Sequence, residues 1–107
     1  MWVKEGDIIH TSWGYNMVLH DFYRIEKITD KTCTVQLMKK ETVAGDSMMP
    51  FVRPTDQPET MHSFGDPQRV KIRTNDRGKH YLWIRNCQLA YLEPWDQNRD
   101  YQENHLD

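Results

Sequence analysis

The chain has 107 residues, enough for one domain, since a domain takes about 100–200. Its 37% hydrophobic and 28% charged residues at a net charge of −2 exclude a disordered polyelectrolyte. Its apolar runs are a few residues long, against the ~20 a membrane helix needs, and "MWVKEGD" lacks the basic and then apolar run of a secretory leader. A cytoplasmic, folded domain is expected.

Taken in chain order, "GDIIHTSW" (6–13) reads as a first strand entered through a Gly-Asp turn. Gly14 supplies the next turn, and "DFYRIEKI" (21–28), aromatic and β-branched, reads as the second strand. After "TDK" (29–31), whose Asp suits a turn, "TCTVQLMK" (32–39) alternates cleanly. Cys33, Val35 and Leu37 share one face, with Thr32, Thr34, Gln36 and Met38 on the other, the period of a half-buried strand.

Residues 44–68 break the pattern. Four of the five prolines, Pro50, Pro54, Pro58 and Pro67, fall there, and proline removes a ladder donor, so a long surface loop is expected rather than a central strand. Met48, Met49, Phe51, Met61 and Phe64 are available to pin it to the body of the domain. Order returns with "RVKIRT" (69–74), a turn at "NDRGK" (75–79) with Gly78 free to take positive φ, then "HYLWIRN" (80–86) and "CQLAYLEP" (87–94). Residues 96–107 read as a polar, acidic tail, either loose or a short helical turn. Five to six short antiparallel strands with one long Pro/Met-containing loop predict an all-β domain, a small SH3-like barrel with an OB-like barrel as the alternative.

"SWGY" (12–15), "FY" (22–23) and "PWD" (94–96) together resemble a pattern in small, uncharacterised bacterial and phage accessory proteins, and "VKEGDIIHT" resembles the first strand of SH3-like barrels. The first resemblance covers about a third of the chain and implies an accessory protein, often carried on mobile elements, without implying an activity. Beyond Asp96 the sequence departs from that pattern.

Two constellations could carry function. Trp13 and Tyr15 at the first turn, with Trp95, would either plug one end of the barrel or form a partner-binding surface with Met48, Met49 and Phe51. The stretch 69–85 would place Lys71, Arg73, Arg77, Lys79 and Arg85 beside Tyr81 and Trp83 on the outer face of a hairpin, with Val70, Ile72, Leu82 and Ile84 inward. Cations for phosphates and rings for bases are what single-stranded nucleic acid requires. The bland alternative is a solvated face with Trp83 covered by the acidic tail, and the whole-chain balance of 14 basic to 16 acidic residues is not that of a dedicated nucleic-acid binder.

The charge is nonetheless uneven, with five acids to one base in 41–66 and five to one in 92–107. A protein partner bound through 44–68 and the acidic C-terminus is therefore the second hypothesis. His10, His20, His62, His80 and His105 show no zinc-ligand spacing, and Cys33 and Cys87 lie outside any CxxC pair, so no metal, no cofactor and two reduced core thiols are expected. No nucleophile or general-base motif is present, which favours a non-enzymatic binding module.

Overall fold

Alternation and turn chemistry resolve into eight antiparallel strands in a computed structural model that describes residues 3–14, 18–60, 65–85 and 88–105. They are β1 (Ile8–Trp13), β2 (Leu19–Ile28), β3 (Thr32–Ala44), β4 (Phe51–Pro58), β5 (Gln68–Thr74), β6 (His80–Ile84), β7 (Gln88–Tyr91) and β8 (Tyr101–Gln102). Six follow the path β1-β2-β3-β5-β6-β7, and β4 and β8 branch from β3. The described residues contain no helix, so none is long and apolar enough to cross a membrane. The fold is the expected small all-β barrel of SH3-like or OB-like type.

The barrel nearly closes between β7 and β1 without a ladder. The Thr11 hydroxyl donates to the Leu89 carbonyl at 2.7 Å, Pro94 bridges Ile9, and the Trp95 amide donates to Ile8 O at 2.8 Å. Inward positions of the six strands, among them Ile9, Tyr23, Ile25, Val35, Leu82 and Ile84, form one buried cluster. The entry turn docks on β2: the Gly6 amide donates to Ile25 O, and the Ile25 amide donates to Asp7 O, both at 2.8 Å. Gly6 has φ 94°, a conformation that costs glycine little. The "NDRGK" turn forms as expected, with Asn75 Oδ1 accepting from the amides of Arg77 and Lys79 and Gly78 at φ 76°.

The 44–68 segment is more ordered than its prolines suggest. β3 is long enough to pair β5 along Thr32–Val35 and β4 along Met38–Ala44. Pro54 and Pro58 are accommodated because, among the described residues, β4 meets β8 only at Phe51 and Val52, leaving the rest of that edge without a ladder, and because the β3–β4 register shifts between Met38 and Lys40. The Thr55 hydroxyl donates to Lys39 O at 2.9 Å across that irregularity. Gln36 and Met38 are consequently buried rather than solvent-facing, and Gln36 Nε2 donates to the Leu37 and Gly65 carbonyls.

The described residues of the acidic tail, 96–105, form a short strand and no helix. β8 pairs β4, and Phe22, Val52 and Tyr101 form a second buried cluster outside the barrel wall, flanked by Ile8 and Trp95. The expectations for Tyr15, Met61, His62, Phe64 and Cys87 fall outside the described residues.

Candidate functional site

Alternation sets which side chains of the β5–β6 hairpin face out. Leu82 and Ile84 are fully buried, Val70 is buried and Ile72 partly so, and the intervening Arg69, Lys71, Arg73 and Trp83 are exposed. Register extends the face across four strands: Thr32 lies opposite Lys71, Thr34 opposite Arg69, Arg73 opposite Tyr81, Tyr81 opposite Tyr91 and Trp83 opposite Leu89. At ~4.8 Å between strands, the four span about 14 Å. Trp83 is 41% exposed. The described part of the tail pairs with β4 and Val18.

The cations expected at this face divide into two groups. Arg69, Lys71 and Arg73 form no ion pair among the described residues, and Arg77 sits exposed in the turn. Lys79 is committed elsewhere, 2.9 Å from a Glu93 carboxylate oxygen and over the Tyr91 ring at 4.3 Å. Arg85 does not project outward as expected. It takes φ 54° where β6 ends, and its Nη1 donates to the Tyr23 hydroxyl at 2.9 Å. The outward strand positions of this face carry no carboxylate.

The second set of expected site residues is not brought together. Trp13 shares a strand face with Ile9 and Thr11, and its Nε1 donates to Asp21 Oδ2 at 2.7 Å. Trp95 packs on the opposite face of β1 with Ile8, its ring 6.0 Å from that of Phe22. Met48 is exposed, whereas Met49 and Phe51 are half-buried around the Asp46 turn leading into β4, where Asp46 Oδ1 accepts the amides of Met48 and Met49. Phe22 and Tyr23 are buried on opposite sides of β2, in the outer cluster and the barrel interior respectively.

Spacing does not reveal the polar network that joins these parts. Asp21 Oδ2 accepts from Trp13 and from Gln88 Nε2 at 3.0 Å, and Gln88 Oε1 accepts from the Tyr23 hydroxyl at 2.6 Å. Lys40 donates to His20 O at 2.7 Å and to Glu103 Oε2 at 2.5 Å. Glu103 also accepts from the His20 amide at 2.9 Å and pairs with His105 at 3.0 Å. His20 Nε2 meets the Gln102 carbonyl at 2.8 Å, and a carbonyl only accepts, so Nε2 carries the proton. His20 Nδ1 is then the acceptor for His10 Nε2–H at 2.7 Å.

Burial, then His20 and Arg99, lower His10 to about 4. Burial also lowers His20, opposed by the Gln102 and Glu103 contacts. For Glu103, burial alone would raise the carboxyl, but the His20 amide, Lys40 and His105 outweigh it and hold it below the usual value. Two neutral, mutually bonded imidazoles, both against the Tyr101 ring and His10 also beside Phe22, therefore tie β1 and β2 to the C-terminal strand. No group of three or more potential metal ligands forms among the described residues. Comparison with protein-family models, curated proteins and solved structures returns no match.

Proposed function

We propose that this domain is a non-enzymatic, cytoplasmic binding module whose β3–β5–β6–β7 face takes single-stranded nucleic acid. The observation that carries the reading is the juxtaposition of an exposed Trp83 and its neighbour Tyr81 with Arg69, Lys71 and Arg73, which form no ion pair among the described residues, on a face without carboxylates at its strand positions. Rings on a sheet offer stacking to bases that are already unstacked, which favours a single strand over a duplex. A charge of −2 for the whole chain is compatible with this because the acids concentrate elsewhere, five to one base in each of 41–66 and 92–107. The second reading, a protein partner bound through 44–68 and the acidic C-terminus, is supported by the exposed Met48 and by the acids of those two segments.

Fluorescence anisotropy with a labelled oligothymidylate tests the proposal. Trp83→Ala should weaken binding about fivefold or more, as stacking contributes ~1–3 kcal/mol per base. The fold should survive, because 41% of Trp83 is already in water. Unchanged affinity in that variant refutes the proposal.

A further inference from the structure

At the β2 side of this face lies a cavity of ≈ 200 Å³ lined by Lys27, Thr29, Thr32, Thr34 and Arg69. We propose that it is the seat for a phosphate group of the bound strand, an inference that rests on the nucleic-acid reading above.

The cavity exists because of an irregularity in β2. Ile25 lies opposite Val35 and Lys27 opposite Thr34, so β2 carries one residue more than β3 between these pairs. Strict alternation would send Lys27 to the same side as the buried Ile25. The bulge turns it outward instead, the kind of re-aiming that bulges perform. Register then lines up Lys27, Thr34 and Arg69 across three neighbouring strands. Two long cationic side chains thus flank a central hydroxyl, with outer strands ~9.6 Å apart.

Charge and hydrogen bonding suit an anion there. Neither Lys27 nor Arg69 has a carboxylate partner among the described residues, and the Thr34 hydroxyl is likewise without a partner among them. Glu26, the acid at the bulge, is held instead by Arg24, whose Nε and Nη2 donate to its Oε1 at 3.0 and 2.7 Å. The floor is fixed: Thr29 Oγ1 accepts the Thr32 amide at 3.0 Å and lies 3.0 Å from Thr32 Oγ1. A phosphate here would accept from ammonium, guanidinium and hydroxyl together, all charge-assisted bonds. On the same face Lys71 lies opposite Thr32 and Arg73 opposite Tyr81, so a strand anchored here has a path along β5 toward the rings.

The test uses oligothymidylates bearing a 5′-phosphate, a 3′-phosphate or neither, each labelled at the other end or internally, and titrated into wild type, Lys27→Ala/Thr34→Val and Trp83→Ala. If the seat holds a backbone phosphate, the double variant weakens all three probes about tenfold and lowers the salt slope by about 0.7 per lost contact. If it holds a terminal phosphate, one phosphorylated probe binds tighter to wild type and the double variant abolishes only that preference. Arg69→Gln should reproduce either pattern, guarding against a folding artefact in the double variant. Wild-type affinity for every probe in both pocket variants, with Trp83→Ala still defective, overturns the phosphate seat and leaves the nucleic-acid face standing. Failure of wild type to bind any probe at low salt overturns both.

Discussion

Acid should loosen this domain from about pH 6.5 downward, through the His10–His20 pair. His10 is lowered from 6.5 to about 4 by burial and by the charges near it, so the folded state resists a proton that the unfolded chain accepts. The contribution is therefore intact above pH 6.5, declines as the pH falls toward about 4, and is flat below that. At 1.36 kcal/mol per pH unit, that window caps the loss at about 3 kcal/mol, and partial exposure of the ring brings it nearer half that. His20 shifts in the same direction, and Glu103, held below its ordinary value, adds a further loss below pH 4.5. Since small domains are stable by about 5–15 kcal/mol, even the discounted figure is a large share. Urea denaturation at pH 7.5, 6, 5 and 4, in wild type and in His10→Asn, measures it. The wild-type midpoint should drop steadily from pH 6 to 4, and the drop should shrink in the variant. Equal losses in both proteins, or none in wild type between pH 7 and 5, would refute the reasoning.

Three further outcomes follow from local geometry. Gly45 has φ 83°, and a Cβ there would sit 2.5 Å from the Met49 carbonyl oxygen, so Gly45→Ala should cost more than the ~1 kcal/mol of a left-handed alanine alone. Gly78→Ala, at φ 76° with open space around it, should cost only that, and a melting comparison in which Gly78→Ala is the worse variant contradicts the difference. Tyr23→Phe leaves Gln88 Oε1 without its 2.6 Å donor and should lower stability by about 1–3 kcal/mol in chemical denaturation, whereas a neutral result would mean the bond contributes nothing. In a Cys87→Ser background, Cys33, buried with its thiol pushed up to about 11, should react with a disulfide reagent only on unfolding, and rapid labelling of the native protein would contradict its placement.

Much of the barrel was legible because its strands are half-buried, so period-two alternation reports the core directly. Cys33, Val35, Val70, Leu82 and Ile84 all point inward as the pattern requires. The same alternation placed Trp83, Lys71 and Arg73 on the outer face. What it missed depends on tertiary cover. Gln36 is buried where its amide reaches Gly65 O and Met38 where β4 pairs alongside it at Pro58, and Tyr101 and Glu103 are buried because β4 offers an edge for a two-residue strand.

Proline content argued against a central strand, but β4 tolerates Pro54 and Pro58 as a largely open edge with irregular register. Lys79 and Arg85 read as free cations in a linear basic stretch; a cross-strand carboxylate and a buried tyrosine hydroxyl hold them in space. Lys27, on the other hand, joins the face through a bulge that leaves no mark in a local hydrophobic pattern. His10 and His20 stand ten positions apart, a spacing without helical or ligand meaning, and meet because β1 and β2 form a hairpin.

The salt dependence of oligothymidylate binding between about 50 and 200 mM salt tests the central claim most directly. With Lys27, Arg69, Lys71 and Arg73 each neutralising one phosphate at about 0.7 per contact, the slope of log K against log salt should be about −3, roughly a fifty-fold loss over that range. Absence of binding at the low end, or binding indifferent to salt, would contradict the assignment of this face to nucleic acid.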